Sequence, residues 1–312
     1  MRSLHQDGLV VVENVIPHDS LDRLNKKMIE DAYTLQSRKG DSPFNYNPGN
    51  IQQGAPPVRE YFDTSIFLSK SNRKPRLCPI YSVSNFHKDP FATQITSSAL
   101  GPRPKWTFCS GNTAMPPTAE HPPMSQPVHS DADFAHPSHP FAYVTNVPLI
   151  TMTPENGSTE VWLGTHTDTG LHVQEGLHGE RASGRVKLDE LEKHRVDRPP
   201  CQPVVPKGSL VIRDLRLWHA GVGNQTEVPR VMLAMSKSFL LVSFEQPNLT
   251  LTVHFASWYR NPMKLELAED LRPVIESQTD VEVPVDWVTK PEAISRYLNR
   301  GFGNAYDFNQ QP

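Results

Sequence analysis

Four residues in this chain have the types and spacing to build a reactive metal centre. His129 and Asp131 form a His-x-Asp triplet, His219 follows much later, and Arg230 comes eleven positions after that histidine. Two imidazoles and one carboxylate on one face of a metal leave its other positions open, a ligand set that suits iron(II) and dioxygen chemistry. An arginine close by offers a forked pair of donors for a carboxylate cosubstrate.

Three of the chain's His-x-Asp triplets are candidate metal ligands. They are His87-Lys-Asp89, His129-Ser-Asp131 and His166-Thr-Asp168. Residues i and i+2 of a strand point to the same face, so each triplet could present two ligands together. We favour His129 because a strand is predicted directly after it. By contrast, His166 follows a turn that leaves a strand, and His87 lies in a region without strand periodicity.

The second half of the candidate site comes from two predicted strands. One runs from Leu210 into His219, and the other begins at Arg230. Antiparallel pairing of these strands would bring Arg230 near His219. Because a buried unpaired charge is costly, two interpretations of Arg230 stay open. It forms a structural salt bridge with an acidic residue, or it anchors the distal carboxylate of 2-oxoglutarate.

Composition limits the other functions. The net charge of −3 gives no basic surface for nucleic acid or anionic lipid, and no apolar run reaches the length of roughly 18 residues that a membrane span needs. The three cysteines do not form a disulfide framework or a Cys-x-x-Cys zinc motif. We therefore expect a cytoplasmic protein that acts on a small molecule, and we expect neither a nucleic-acid partner nor a membrane partner.

The pattern of elements predicts a mainly β fold with flanking helices. The clearest strand predictions are residues 105–109, 142–149, 158–163, 209–214 and 230–242, after an N-terminal strand at 8–17. Ser20 is the predicted cap of a helix, residues 34–60 a long loop, and Pro291 the start of a helix that Gly301 ends. We expect one domain over 1–312, with core strands at about 105–245, an insert or lid at about 170–200 and a helical segment at about 260–312. This order favours a jelly roll, or double-stranded β-helix.

Several motifs together resemble the phytanoyl-CoA dioxygenase-like family of Fe(II)/2-oxoglutarate-dependent oxygenases. They are the opening residues 6–17, Gln126-Pro-Val-His-Ser-Asp131, the run 155–166 with its Asn-Gly turn and Gly-Thr-His ending, Leu217-Trp-His219 and Arg230. The combination is specific to the family, although no single piece is. The resemblance also assigns His166 to the Gly-Thr-His element, which supports His129 as the ligand.

The resemblance implies a role for each matching residue. His129, Asp131 and His219 would bind Fe(II), and Arg230 would bind 2-oxoglutarate, with dioxygen as the other cosubstrate. Gln126, Asn146 and Thr165 fall where relatives contact the cosubstrate, although ordinary strand-end hydrogen bonding is the alternative for Gln126 and Asn146. For the substrate we expect walls that include Asn112, Met115 and Phe134, with Phe44, Tyr46 and Gln52 from the 34–60 loop and the insert after His166 as a third source.

Two departures from the family pattern bear on the chemistry. Some relatives have a serine two residues after the distal histidine, whereas this chain has Gly221, so another group must fill that role. Halogenating relatives lack the carboxylate ligand, and Asp131 therefore argues against halogenation. We expect hydroxylation, desaturation, epoxidation or cyclisation of a small, fairly hydrophobic substrate in secondary metabolism.

Two alternative functions remain, together with an open question of assembly. The chain could be a catalytically silent jelly roll that binds a metabolite, or a metal-dependent cupin-type enzyme that does not use 2-oxoglutarate. A homodimer is possible, since related enzymes are often dimers.

Overall fold

The computed structural model describes residues 2–62, 64–67, 91–136, 138–167, 169–176, 184–238 and 263–301. The α-helices within this part are α1 (Arg2–Asp7), α2 (His18–Gln36), α3 (Thr64–Phe67), α4 (Phe91–Leu100), α5 (Leu188–Asp197), α6 (Arg272–Glu276) and α7 (Lys290–Asn299). Short 3-10 helices lie at Lys39–Asp41, Leu171–Val173 and Glu269–Leu271. None of the described helices is both long enough and apolar enough to cross a bilayer.

Six of the twelve strands in the described chain belong to one antiparallel sheet. The strands are β1 (Leu9–Val12), β2 (Asn50–Gln53), β3 (Lys105–Ala114), β4 (Ala142–Pro148), β5 (Glu160–Val161), β6 (Gln174–Glu175), β7 (Arg185–Val186), β8 (Leu210–Asp214), β9 (His219–Ala220), β10 (Arg230–Ser238), β11 (Leu265–Ala268) and β12 (Val285–Val288). The order across the large sheet is β1-β8-β4-β10-β3-β2. The parallel pair β11–β12 lies apart from it. The prediction of a mainly β jelly-roll fold with flanking helices is confirmed.

A second, smaller layer carries the predicted ligands. It begins with β5 paired to β9, continues through a bridge between His219 and His129, and passes by a bridge between His129 and Arg185 to the hairpin β7–β6. The insert after residue 170 therefore adds strands directly beside the segment that contains His129. The described residues of 170–200 contact this segment through backbone hydrogen bonds. They do not line the cavity that lies between the smaller layer and the large sheet.

The two faces of the large sheet have different functions because strand side chains alternate. On β10, Val231, Leu233 and Met235 belong to the main hydrophobic cluster, together with residues of α2 such as Leu24 and Met28. The intervening residues Arg230, Met232 and Ala234 face a cavity between the large sheet and the smaller layer. Burial of the first set against α2 holds the strand in the register that presents the second set to the cavity.

The structure corrects three details of the predicted elements. Helix α2 begins at His18 with Pro17 as its N-cap residue, so Ser20 lies inside the helix and not at its cap. The segment 34–60 is not all loop, because it contains β2, which pairs with β3. Of the run 158–163, only Glu160–Val161 is a strand.

Two further predictions hold only in part: the N-terminal strand predicted at 8–17 covers only Leu9–Val12, and the segment at about 260–312, predicted as helical, also contains the strand pair β11–β12. At the C-terminal end, Pro291 lies in the first turn of α7, and Thr289 caps this helix by accepting a hydrogen bond from the Glu292 amide. The triplet at 87–89 and residue Asp168 lie outside the described residues.

Candidate metal centre

His129 and His219 lie directly opposite each other on neighbouring backbone segments. Each backbone N–H donates to the other residue's carbonyl, at 2.9 and 3.0 Å. Residues paired in this way project their side chains to the same face of a sheet, and the two imidazole centroids lie 4.4 Å apart. Asp131 follows His129 by two residues, so its side chain joins them on that face.

These three side chains form one buried cluster. One potential ligand atom from each lies within 4.8 Å of the others, and no other such group of three occurs among the described residues. The Nε2 atom of His129 lies 3.8 Å from Oδ1 of Asp131, and the Nε2 atom of His219 lies 3.8 Å from Oδ2. The structure therefore brings together the three residues predicted as ligands.

Backbone contacts orient both imidazoles toward the centre of this cluster. Nδ1 of His129 lies 2.9 Å from the Pro127 carbonyl, and Nδ1 of His219 lies 2.9 Å from the Leu217 carbonyl. Because a carbonyl only accepts, each Nδ1 carries the proton and each Nε2 is left with a free lone pair. Burial also lowers the pKa of both imidazoles, well below the usual value for His219, which keeps them neutral.

Asp131 is held as a carboxylate. Burial alone would raise its pKa, but the charge of Arg213 and the hydrogen bond from its guanidinium outweigh that effect and lower the pKa well below its usual range. The Arg213 guanidinium donates to Oδ2 of Asp131. Two neutral imidazole nitrogens and one ionised carboxylate are the donors of the iron(II) facial triad. Metal bonds of about 2.0–2.2 Å would need these donors only slightly closer together, so the residues fit the metal.

Arg230 is the second feature that fits a ligand. It is 2% exposed, its Nη2 donates to the Gly157 carbonyl at 2.7 Å, and its buried Nε has no hydrogen-bond partner. Burial lowers the pKa of Arg230 to about 10. Within the described chain no carboxylate forms a salt bridge with it, which disfavours the structural alternative. An unpaired buried guanidinium facing the same cavity as the triad fits the carboxylate of 2-oxoglutarate.

The route by which Arg230 reaches the site differs from the expected one. Strand β10 pairs with β3 and β4, whereas His219 lies on β9, which pairs with β5. The predicted pairing beside His219 is therefore wrong. Arg230 and His219 nevertheless face one cavity, because they lie on opposing layers that enclose it.

Gln126 is the side chain that contacts Gly221 in the cavity. The Oε1 atom of Gln126 accepts a hydrogen bond from the Gly221 amide at 2.8 Å. A Cβ atom on residue 221 would lie only 2.7 Å from that oxygen, so the glutamine occupies the space of a side chain there. The amide of Gln126 lines the cavity in place of the serine that some relatives carry.

The remaining predicted site residues divide into two groups. Asn146 and Asn112 line the cavity, and each has one buried amide atom without a hydrogen-bond partner, Nδ2 and Oδ1 respectively. Met115 and Phe134, by contrast, lie in hydrophobic clusters and do not line the cavity themselves. Thr165 is also structural, because its hydroxyl donates to the Trp162 carbonyl and accepts from the Trp218 amide.

The cavity is also lined by Arg213 and by residues of the 34–60 segment. Arg213 was missed by the sequence analysis, although the argument that selected Arg230 applies to it, since it interrupts an apolar strand. Of the residues predicted from the 34–60 segment, Tyr46 and Gln52 line the cavity, whereas Phe44 packs against a hydrophobic cluster outside the lining. The Tyr46 ring lies 4.9 Å from that of His129 and is held by a backbone with φ of 64°, a conformation that costs a tyrosine free energy.

A substitution in the insert should test how far it braces the metal ligands. Gly184 has φ of +75°, and a Cβ there would lie 2.3 Å from the Ser130 carbonyl, between the two ligands of the triplet. Gly184→Ala should lower the free energy of unfolding by about 1–3 kcal/mol. It should also weaken Mn(II) affinity roughly tenfold, because the ligand segment must move.

The matched control for this substitution lies in the same insert. A Cβ on Gly170 would meet nothing closer than the His172 side chain at 3.6 Å. Gly170→Ala should therefore leave thermal denaturation and Mn(II) titration unchanged. If Gly184→Ala binds Mn(II) as tightly as Gly170→Ala does, the insert does not position the ligands.

A family model and several solved structures match this chain. The family model of phytanoyl-CoA dioxygenase (PhyH) matches residues 4–232. Among solved structures, the epimerase SnoN in complex with Fe³⁺, alpha ketoglutarate and nogalamycin RO is 14% identical, with a TM-score of 0.52 over 85% of this chain and 91% of that chain. The carbocyclase SnoK from nogalamycin biosynthesis is 13% identical, with a TM-score of 0.50 over 76% of this chain and 82% of that chain.

At such low identity the structural likeness supports the fold alone. The family match has more weight, because it spans most of the chain and contains all four residues that define the centre. The chain belongs to the phytanoyl-CoA dioxygenase family of Fe(II)/2-oxoglutarate-dependent oxygenases.

Proposed function

We propose that the protein oxidises a small organic substrate at an Fe(II) ion bound by His129, Asp131 and His219. Arg230 binds the distal carboxylate of 2-oxoglutarate, and Gln126 and Asn146 contact the same cosubstrate. One observation carries the proposal: a buried three-donor cluster and an unpaired buried arginine face the same cavity.

Iron and 2-oxoglutarate together supply the oxidising chemistry with dioxygen when they are bound. The protein itself holds the two imidazoles with their Nε2 lone pairs toward the metal, through the Pro127 and Leu217 carbonyls. It keeps the carboxylate of Asp131 ionised and buries both imidazoles away from bulk water. The substrate binds in the remainder of the cavity, where its orientation selects the bond that reacts.

The cavity wall favours a neutral substrate with both apolar and polar groups. One part of the wall is apolar, formed by Leu9, Met152, Val161, Val205 and Met232, and another part carries the carboxamides Asn45, Asn50, Gln52 and Asn112. The charged side chains of the described lining are Asp131, Asp133, Arg213 and Arg230, whose formal charges cancel. Fe(II) and the 2-oxoglutarate dianion cancel as well, so a charged substrate would bring an uncompensated charge into a buried site.

A secondary metabolite of mixed polarity fits this cavity better than the fairly hydrophobic compound expected from the sequence. SnoN and SnoK are described as nogalamycin-biosynthesis enzymes, and we propose secondary metabolism for this chain on the basis of its own cavity. Hydroxylation, desaturation, epoxidation and cyclisation differ only in how the substrate lies, so all four remain within the proposal. A single domain, a cytoplasmic location and a homodimer stay predictions.

The proposal is tested by anaerobic titration of the protein with Fe(II) and then 2-oxoglutarate. Chelation of the metal by the keto acid should give a visible charge-transfer absorption, and admission of air should yield succinate in an iron-dependent reaction. A silent binding protein would give the absorption without succinate. A metal enzyme that does not use 2-oxoglutarate would bind iron and show no spectral change on addition of the keto acid.

A further inference from the structure

Arg213 lines the cavity and contacts Asp131, but the proposed function gives it no role in how the metal or the cosubstrate binds. It lies on β8 opposite Leu9 and Val144 in the sheet register and is 6% exposed. One guanidinium nitrogen, Nη2, donates to Oδ2 of Asp131, while Nη1 is buried without a hydrogen-bond partner. Its register neighbours are apolar, so Asp131 supplies the compensating charge.

The number of coordination positions restricts how Asp131 can bind a metal. An octahedral ion has six positions, of which two histidines take two and a chelating keto acid takes two more. Dioxygen needs one, which leaves a single position for Asp131. Nothing in the triad by itself enforces this, because the two carboxylate oxygens each lie 3.8 Å from a ligand Nε2.

We propose that Arg213 is a positioning residue that holds one oxygen of Asp131 away from the metal. The guanidinium engages Oδ2 and so leaves Oδ1 to bind the ion. This keeps open the position that a two-oxygen aspartate would occupy. The inference rests on the proposed function, since it requires the metal to bind at the triad.

The geometry also explains why an arginine occupies this position. Its rigid planar fork fixes the direction of each N–H bond, whereas a lysine ammonium on a flexible chain does not. A buried arginine that forms an ion pair with Asp131 keeps that contact with or without the metal, because losing it would separate two buried charges.

The test compares Arg213→Met, Arg213→Lys and the wild-type protein. Mn(II) affinity is measured by electron paramagnetic resonance titration, and 2-oxoglutarate affinity for the Mn(II)-bound protein by calorimetry. In Arg213→Met, Mn(II) affinity should stay within about threefold, because loss of a repelling cation offsets loss of orientation. Affinity for 2-oxoglutarate should fall roughly 10- to 100-fold. Arg213→Lys should recover part of this loss.

Arg185→Met is the matched control. The backbone of Arg185 pairs with that of His129. Its side chain, however, is half-exposed and forms an ion pair with Glu175 at 2.5 Å. This variant should keep both affinities within about twofold, because the lost pair lies at the surface. A general effect of removing an arginine near the cavity would lower them in both variants.

Crystal structures of the Mn(II)-bound wild-type and Arg213→Met proteins complete the test. We expect one Asp131 oxygen on the metal in the wild type and both in the variant. The inference is overturned if both oxygens bind Mn(II) in the wild type, if Arg213 contacts 2-oxoglutarate instead of Asp131, or if Arg213→Met keeps wild-type 2-oxoglutarate affinity. If wild-type Mn(II) affinity does not depend on His219, the proposed function fails and the inference fails with it.

Discussion

His219→Ala should abolish Fe(II)-dependent succinate formation and lower Mn(II) affinity by more than about 100-fold, the upper range for loss of a mere supporting contact to a ligand. His219 provides one of only three donors, and its backbone pairing with His129 does not need the imidazole. The fold should therefore persist, as circular dichroism would show. Metal titration by electron paramagnetic resonance measures the loss.

The control for this substitution is His166→Ala, which also removes a buried histidine. His166 belongs to a competing His-x-Asp triplet, but its Nε2 lies 3.2 Å from the His5 carbonyl and its ring packs against Gly8. The variant should lose thermal stability and keep wild-type Mn(II) affinity. Loss of metal binding in His166→Ala, with retention in His219→Ala, would place the centre at the other triplet.

Arg230→Met should have opposite effects on stability and on cosubstrate binding. In the absence of 2-oxoglutarate, the substitution removes a buried unpaired cation, so the free energy of unfolding should rise by roughly 1–4 kcal/mol at neutral pH. Affinity for 2-oxoglutarate should fall about 10- to 150-fold, which corresponds to hydrogen bonds with a charged group worth about 1.5–3 kcal/mol. Chemical denaturation and calorimetry measure the two effects separately.

The pH dependence of the stability effect has a definite sign. The pKa of Arg230 is lowered to about 10 in the folded protein, so its charge destabilises the fold below that pH. The destabilisation should fade as pH rises from about 10 toward the ordinary arginine value, and with it the advantage of Arg230→Met. A variant less stable than wild type at neutral pH, with unchanged 2-oxoglutarate affinity, would show that Arg230 is structural.

The pairing of His129 with Asp131 in the candidate centre could be predicted from the sequence because it depends on local geometry. His129 and Asp131 share a face through the two-residue repeat of a strand, and the aspartate type and spacing are visible in the chain. Arg230 could be selected because an arginine interrupts an apolar strand. The same signal marks Arg213, which strand composition alone could have found.

The failures arise where the answer depends on pairing between distant segments. The sequence of β10 does not indicate that its neighbours are β3 and β4, because antiparallel partners are set by the topology of the whole sheet. Met115 is a different kind of error. Asn112 faces the cavity, so Met115, an odd number of residues later, faces the other way and packs near Ala32 and Leu35 of α2. The predicted strand ended at residue 109, whereas β3 continues to Ala114, so the alternation rule could not be applied to Met115 from the sequence.

Because side chains alternate along β10, substitutions on one face of the strand should change the reaction, whereas substitutions on the other face should change the stability of the fold. Met232 and Ala234 touch the cavity, whereas Val231, Leu233 and Met235 anchor the strand to α2. Mutant libraries restricted to 232 and 234 should therefore yield many folded proteins with altered substrate preference. Libraries at the three intervening positions should yield mostly aggregated protein. A lineage of such enzymes can diversify its products through one side of a strand while the other side stays fixed.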